Sequence, residues 1–153
     1  MTFDTARPSA RQASEQGYTF EPLYPGTDTG IGATITVRGP RSEVVREHAR
    51  QQFAAAQARE QASRKHGRIA EPPELDELDQ SLTDMAVVYT IGWDGMEEGG
   101  QSLPFSGDAA RKLYSLHTWL REQVITEGQD LGKFIKPSSM SLLSTPGPSL
   151  NST

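Results

Sequence analysis

Three histidines and a run of carboxylates are the side chains in this chain whose types first suggest acid–base or metal chemistry. His48, His66 and His117 fall in three separate segments. None has a second His, Asp or Glu at a recognised ligand spacing, such as the i, i+4 pair of a zinc helix, so no metal site is expected. His66 reads as a helix-end residue and His117 as a linker. Asp76, Glu77, Asp79 and Asp84 could supply two carboxyls that divide general-acid and general-base work. They lie on a helix whose other face is leucine, which makes a solvated face the better reading. Cysteine is absent, which removes disulfides, thiolate metal sites and a cysteine nucleophile. Gly26, Gly30 and Gly32 precede a strand, the wrong order for cradling phosphate, and neither the P-loop nor Gly-x-Ser-x-Gly occurs. The expectation is a non-enzymatic protein with no catalytic residue and no cofactor.

Nucleic-acid binding needs an uncompensated basic face. Arg38, Arg41, Arg46, Arg50, Arg59, Arg64, Lys65 and Arg68 are numerous, but Glu43, Glu47 and Glu60 interleave with them at i, i+3 and i, i+4 spacings. Such pairs support a solvated helix more than a phosphate track. The net charge is −5, and it is unevenly spread. Residues 1–70 carry ten Lys/Arg against seven Asp/Glu, residues 71–98 nine acids and no base, and residues 99–153 five bases against four acids. A dipolar chain of this kind can attract its own copies or steer a basic partner. No apolar run approaches the ~20 residues of a membrane-spanning helix. The first 25 residues contain no apolar core of a secretory signal, so a cytosolic protein is the expectation.

These residues must be positioned by one small domain, for 153 residues have room for one modest core. Apolar residues make up only 35 %, so part of the chain is expected to stay unpacked, and the ends have that composition. Residues 1–17 read as a flexible arm and residues 137–153, rich in Ser and Pro, as a tail whose Met140, Leu142, Leu143 and Leu150 could grip a partner. The domain between, 18–136, begins with a two-stranded β ribbon over 18–38, clearest at Ala33–Arg38. A helix over about 41–66 follows, Ala- and Gln-rich with a thin apolar stripe, closed by Lys65-His66-Gly67. The next helix, 74–92, places Leu75, Leu78, Leu82, Met85 and Tyr89 on one face. The β-branched run Val87–Ile91 admits a strand there as the lesser reading. Residues 94–100 read as a flexible acidic loop. Ser106 caps a helix over 107–116, and Thr118 opens one over 119–134 that Gly128 kinks or ends early. The fold class is mainly α with a small N-terminal β element, an α+β helical domain with a β-hairpin and flexible termini.

The aromatic residues Trp93, Phe105, Trp119 and Phe134 bracket the two C-terminal helices. Some must build the core. The others could border a groove that accepts an amphipathic helix from a partner. On this reading the partner-binding residues are Trp93, Phe105, Leu113, Leu116, Trp119, Leu120, Val124 and Phe134.

Three segments carry a resemblance: Ile91-Gly92-Trp93-Asp94-Gly95, Leu103-Pro104-Phe105-Ser106, and Trp119-Leu120-Arg121-Glu122-Gln123-Val124, closed by the aromatic stop Phe134. Their order resembles the tail assembly chaperones of long-tailed bacteriophages over about residues 30–136, most closely over 85–136. The resemblance implies a small, non-enzymatic viral protein of the host bacterial cytoplasm that binds the tape measure protein, the tail tube protein or both. Self-association is compatible with it, and nucleic acid and membrane are not among its partners. The long helix from Pro40 and the Ser-rich tail depart from the family pattern. A structural virion protein of tail, neck or baseplate would share this build, as would a small phage regulatory or anti-defence protein that binds a host factor.

Overall fold

The computed structural model describes residues 2–67 and 74–135. It is mainly helical with a small antiparallel sheet, the α+β class expected from the sequence. The chain opens with α1 (Ala10–Gln16) and β1 (Tyr18–Phe20), and continues through β2 (Thr34–Val37) into α2 (Glu43–Lys65). Next come α3 (Leu75–Tyr89), β3 (Thr90–Asp94) and a short hairpin of β4 (Glu97–Glu98) and β5 (Gln101–Ser102). Then α4 (Gly107–Leu116), α5 (Thr118–Gln129) and a 3-10 turn at Leu131–Lys133 complete the described fold. The Ser/Pro-rich segment 137–153 lies outside the described residues.

The N-terminal arm is not wholly flexible. Ser9 and Gln12 form a reciprocal capping box that starts α1, the Ser9 side chain accepting from Gln12 N while the Gln12 side chain accepts from Ser9 N. The helix then docks on the corner after β2. Gly39 N donates to Ser14 O, Arg41 N to Ser14 Oγ and Glu43 N to Glu15 Oε2 at 2.7 Å. A Cβ at Gly39 would fall 2.5 Å from Ser14 Oγ, so glycine there is what lets α1 sit so close. Ser42, at the N-cap of α2, turns its hydroxyl to Gly39 O instead of capping. Glu15 of α1 takes up the first α2 amide in its place.

The expected two-stranded ribbon is a three-stranded sheet of order β1-β2-β3. The third strand comes from the end of the expected 74–92 helix, which stops at Tyr89. The lesser reading of β-branched residues there was right for Thr90 and Ile91. Thr90 Oγ1 donates back to Ala86 O while its backbone turns extended, and Ile35 and Trp93 become Cα partners across β2 and β3. Ile35 and Val37 of β2 point inward and are fully buried, whereas Thr36 faces out and meets Thr19 hydroxyl to hydroxyl at 2.7 Å.

Only the C-terminal end of the expected α3 face is core: Met85 packs against it and Tyr89 lies in it, but the three leucines do not. Leu75, Leu78 and Leu82 are 80, 44 and 37 % exposed, while Thr83, Ala86 and Tyr89 are buried. Small Thr83 and Ala86 let α3 approach α4 and α5 closely, which larger leucines at the contact would prevent. The expected 119–134 helix likewise ends at Gln129, with a separate turn after Asp130, whose side chain accepts from Gly132 N. Gly128 marks a close crossing, since a Cβ there would lie 2.4 Å from the Tyr89 ring. The core is Ile35, Val37, Val45, Ala86, Tyr89, Tyr114, Leu120 and Val124, joined by Met96 and Ala110.

Candidate functional site

The corner between α4 and α5 meets the loops that flank the sheet, and a groove opens there. Gln123 of α5 sets one wall. Its amide donates to Leu23 O at 2.7 Å and accepts from Leu23 N at 3.0 Å, so Leu23 is held as a strand partner would hold it. Tyr24 is thereby laid against Trp119, ring centres 6.0 Å apart, and the His117 ring meets Trp119 edge-on at 6.3 Å. Met96 is buried, and Ala33, Ile31 and Leu120 join it in lining this hollow of about 470 Å³. A second hollow of about 290 Å³ shares Glu97, Leu113 and His117 with the first and continues over Leu103 and Leu116. Leu116, 67 % exposed, ends the apolar strip on that side.

The other wall is the hairpin read from sequence as a flexible acidic loop. Gly99 and Gly100 both take positive φ, +59° and +83°, which closes β4 onto β5 with a two-residue turn. The hairpin brings Glu97 and Glu98 to the rim, and Asp108 joins them from the first turn of α4. Lys112 donates to Glu98 at 2.9 Å, and that hydrogen bond and charge raise its pKa. Three rim carboxylates thus face a single ammonium. An apolar strip with an acidic rim suits a helix that is apolar on one face and basic at its edges.

The residues expected to bind a partner divide in place. Leu113, Leu116 and Trp119 line the groove. Leu120 touches it from below but is only 3 % exposed, and Val124 is fully buried in the core. Trp93 and Phe105 pack edge to face with centres 5.0 Å apart, and Trp93 Nε1 donates to Leu103 O at 2.8 Å. They hold Leu103 in the groove wall and do not line it themselves. Phe134 lies elsewhere, edge-on to Tyr18 and beside α1 in a separate hollow. Tyr24, Ile31, Met96, Leu103 and His117 were not among the residues expected to bind a partner, and His117 was read only as a linker. The one local signal was Met96, an isolated apolar residue inside an acidic, glycine-rich turn.

No protein-family model, curated protein or solved structure matches this chain.

A second, polar cleft of about 580 Å³ lies between α3 and the α4–α5 pair. Its arginines are already engaged: Arg111 with Asp84, and Arg121 with Asp79 Oδ1, Asp79 O and Thr83 Oγ1, each at 3.3 Å. Arg121 is 4 % exposed and its Nε has no partner among the described residues, yet that atom is sealed from the cleft. Asp76, Asp79 and Asp84 on the same wall oppose an anion. Among the described residues no cluster of His, Cys, Asp or Glu could hold a metal ion. No helix among them is long and apolar enough to cross a membrane.

Proposed function

We propose that this chain is a tail assembly chaperone that holds an amphipathic helix of the tape measure protein in the groove at the α4–α5 corner. The observation that carries the reading is the apolar strip Trp119–Leu113–Leu116 under an acidic rim, because it lies within the stretch 85–136 over which the chain most closely resembles those chaperones, with Trp119 in one of the segments that carry the resemblance. Each bound copy covers one apolar stretch of a long helical client and keeps it from aggregating. The tail tube protein is the second partner in this reading, meeting the client as the chaperone leaves. No catalysis is required, and the host cytoplasm is the place of action.

Co-expression with the tape measure protein of the same genome tests the reading by solubility and co-purification. The expected result is a soluble complex that Leu116→Glu disrupts without loss of fold. An insoluble, unbound tape measure protein sinks the proposal. Recovery of the chain from purified virions would then favour a structural subunit of tail, neck or baseplate.

A further inference from the structure

The groove leaves one large surface unexplained. From Ala49 to Ala62 every residue of α2 is exposed, and Val45 is the one buried residue of the helix. A helix of 23 residues usually draws most of its stability from packing an apolar face. Here the central turns offer Ala54, Ala55, Ala58 and Ala62, small side chains that allow close approach. Beside it, α3 shows the opposite relief, with Leu75, Leu78 and Leu82 protruding at i, i+3, i+7 spacing. Among the described residues, one exposed ion pair joins the two helices, Arg59 to Glu77 at 3.9 Å.

We propose that this face binds a second copy of the chain, with α2 of each copy seated on the leucine stripe of its partner's α3. Charge decides the pairing. The α2 helix carries five bases against three acids, and α3 carries four acids and no base. Glu77 and Asp79 stay exposed even though each has an arginine partner within the chain, while Asp84 is half-buried beside Arg111. Stacking α3 on α3 would oppose acid with acid and leucine with leucine, and α2 on α2 offers Phe53 as its one large knob near the centre. Seating α2 on α3 instead puts leucines over alanines and a basic helix over an acidic one. A two-fold axis forms that contact twice, which is how an isologous dimer closes. The surface is separate from the groove, so a failed client assay leaves it standing.

Sedimentation velocity of the full chain over a range of concentration and salt tests the proposal. The expected species is a dimer of the 16.7 kDa chain, weakened by salt because exposed charges are screened. Leu75→Glu with Leu78→Glu should raise the dissociation constant at least tenfold, or about 1.4 kcal/mol, with an unchanged far-UV spectrum. Because the chain has no cysteine, L78C protein can be mixed with A55C, A58C or A62C protein and oxidised. Disulfides between the α2 and α3 pools support the arrangement. A monomer at every concentration in low salt overturns it, and so does L78C pairing with itself in preference to any α2 position.

Discussion

Thr90 Oγ1 and the Tyr114 hydroxyl lie 2.7 Å apart where the end of α3 turns into β3, and both residues are buried. The pair ties the sheet to α4 at the point where the chain changes from helix to strand. Burial pushes the Tyr114 phenol up to about 12 from an ordinary 10.0, against a smaller lowering by the hydrogen bond. The folded protein therefore holds this proton more tightly than the unfolded chain. The stabilisation is complete below the unfolded value near 10 and is lost as pH rises through about 12. We expect urea midpoints to fall across that window. Tyr114→Phe should flatten the fall while costing about 1 kcal/mol at neutral pH for the missing hydrogen bond.

Gly128 tests the close crossing of α5 over Tyr89. Gly128→Ala forces the ring aside and should destabilise by about 1–3 kcal/mol, as overpacking does. A thermal melt reads the loss. In combination with Tyr89→Leu the two costs should add up to less than their separate values, because the clash is gone.

Arg121 is expected to behave against intuition. Its partner Asp79 is 67 % exposed, so removing the guanidinium strands no buried carboxylate. Arg121→Met should be neutral within about 1 kcal/mol, or stabilising, since a well-packed apolar residue often replaces a buried ion pair at no loss. Chemical denaturation showing a loss of 3 kcal/mol or more, the scale of a broken buried pair, would sink that account.

Gln123→Ala separates the groove from the fold. Both hydrogen bonds to Leu23 disappear, a cost of about 1–2 kcal/mol, and Tyr24 is freed from Trp119. In a Trp93→Phe background the remaining tryptophan fluorescence should shift toward a more solvated indole. Unchanged emission would mean that Tyr24 keeps its place by other contacts.

The fold was legible where local chemistry dictates structure. Ser106 accepts from Ala109 N at 3.0 Å as a cap should, and Gly67 with φ of +68° follows α2 as its stop. The capping box at Ser9 and Gln12 was equally local and could have been read, but the polar composition around it suggested an arm. Other features depend on distant partners. The end of α3 at Tyr89 reflects the pull of β2 on β3, and no window along α3 contains that information. The leucine spacing of α3 was real, but periodicity gives a face without saying what covers it, and the core took Thr83 and Ala86 with only the Met85–Tyr89 end of that face. In the groove, Leu113, Leu116 and Trp119 could be found because they stand on one helical corner. Tyr24 could not, since Gln123, far along the chain, puts it there.

The sheet order has a consequence for how the polypeptide is made. The central strand β2 is synthesised early, yet its partner β3 lies beyond the whole of α2 and α3. While a ribosome is still producing those helices, one edge of β2 remains unpaired and the buried faces of Ile35 and Val37 have nothing to cover them. Open strand edges of that kind template misassembly. Nascent chains released before Val124 would lack part of the layer that closes over β2. Premature termination products of this protein should therefore aggregate in place of forming a smaller folded unit.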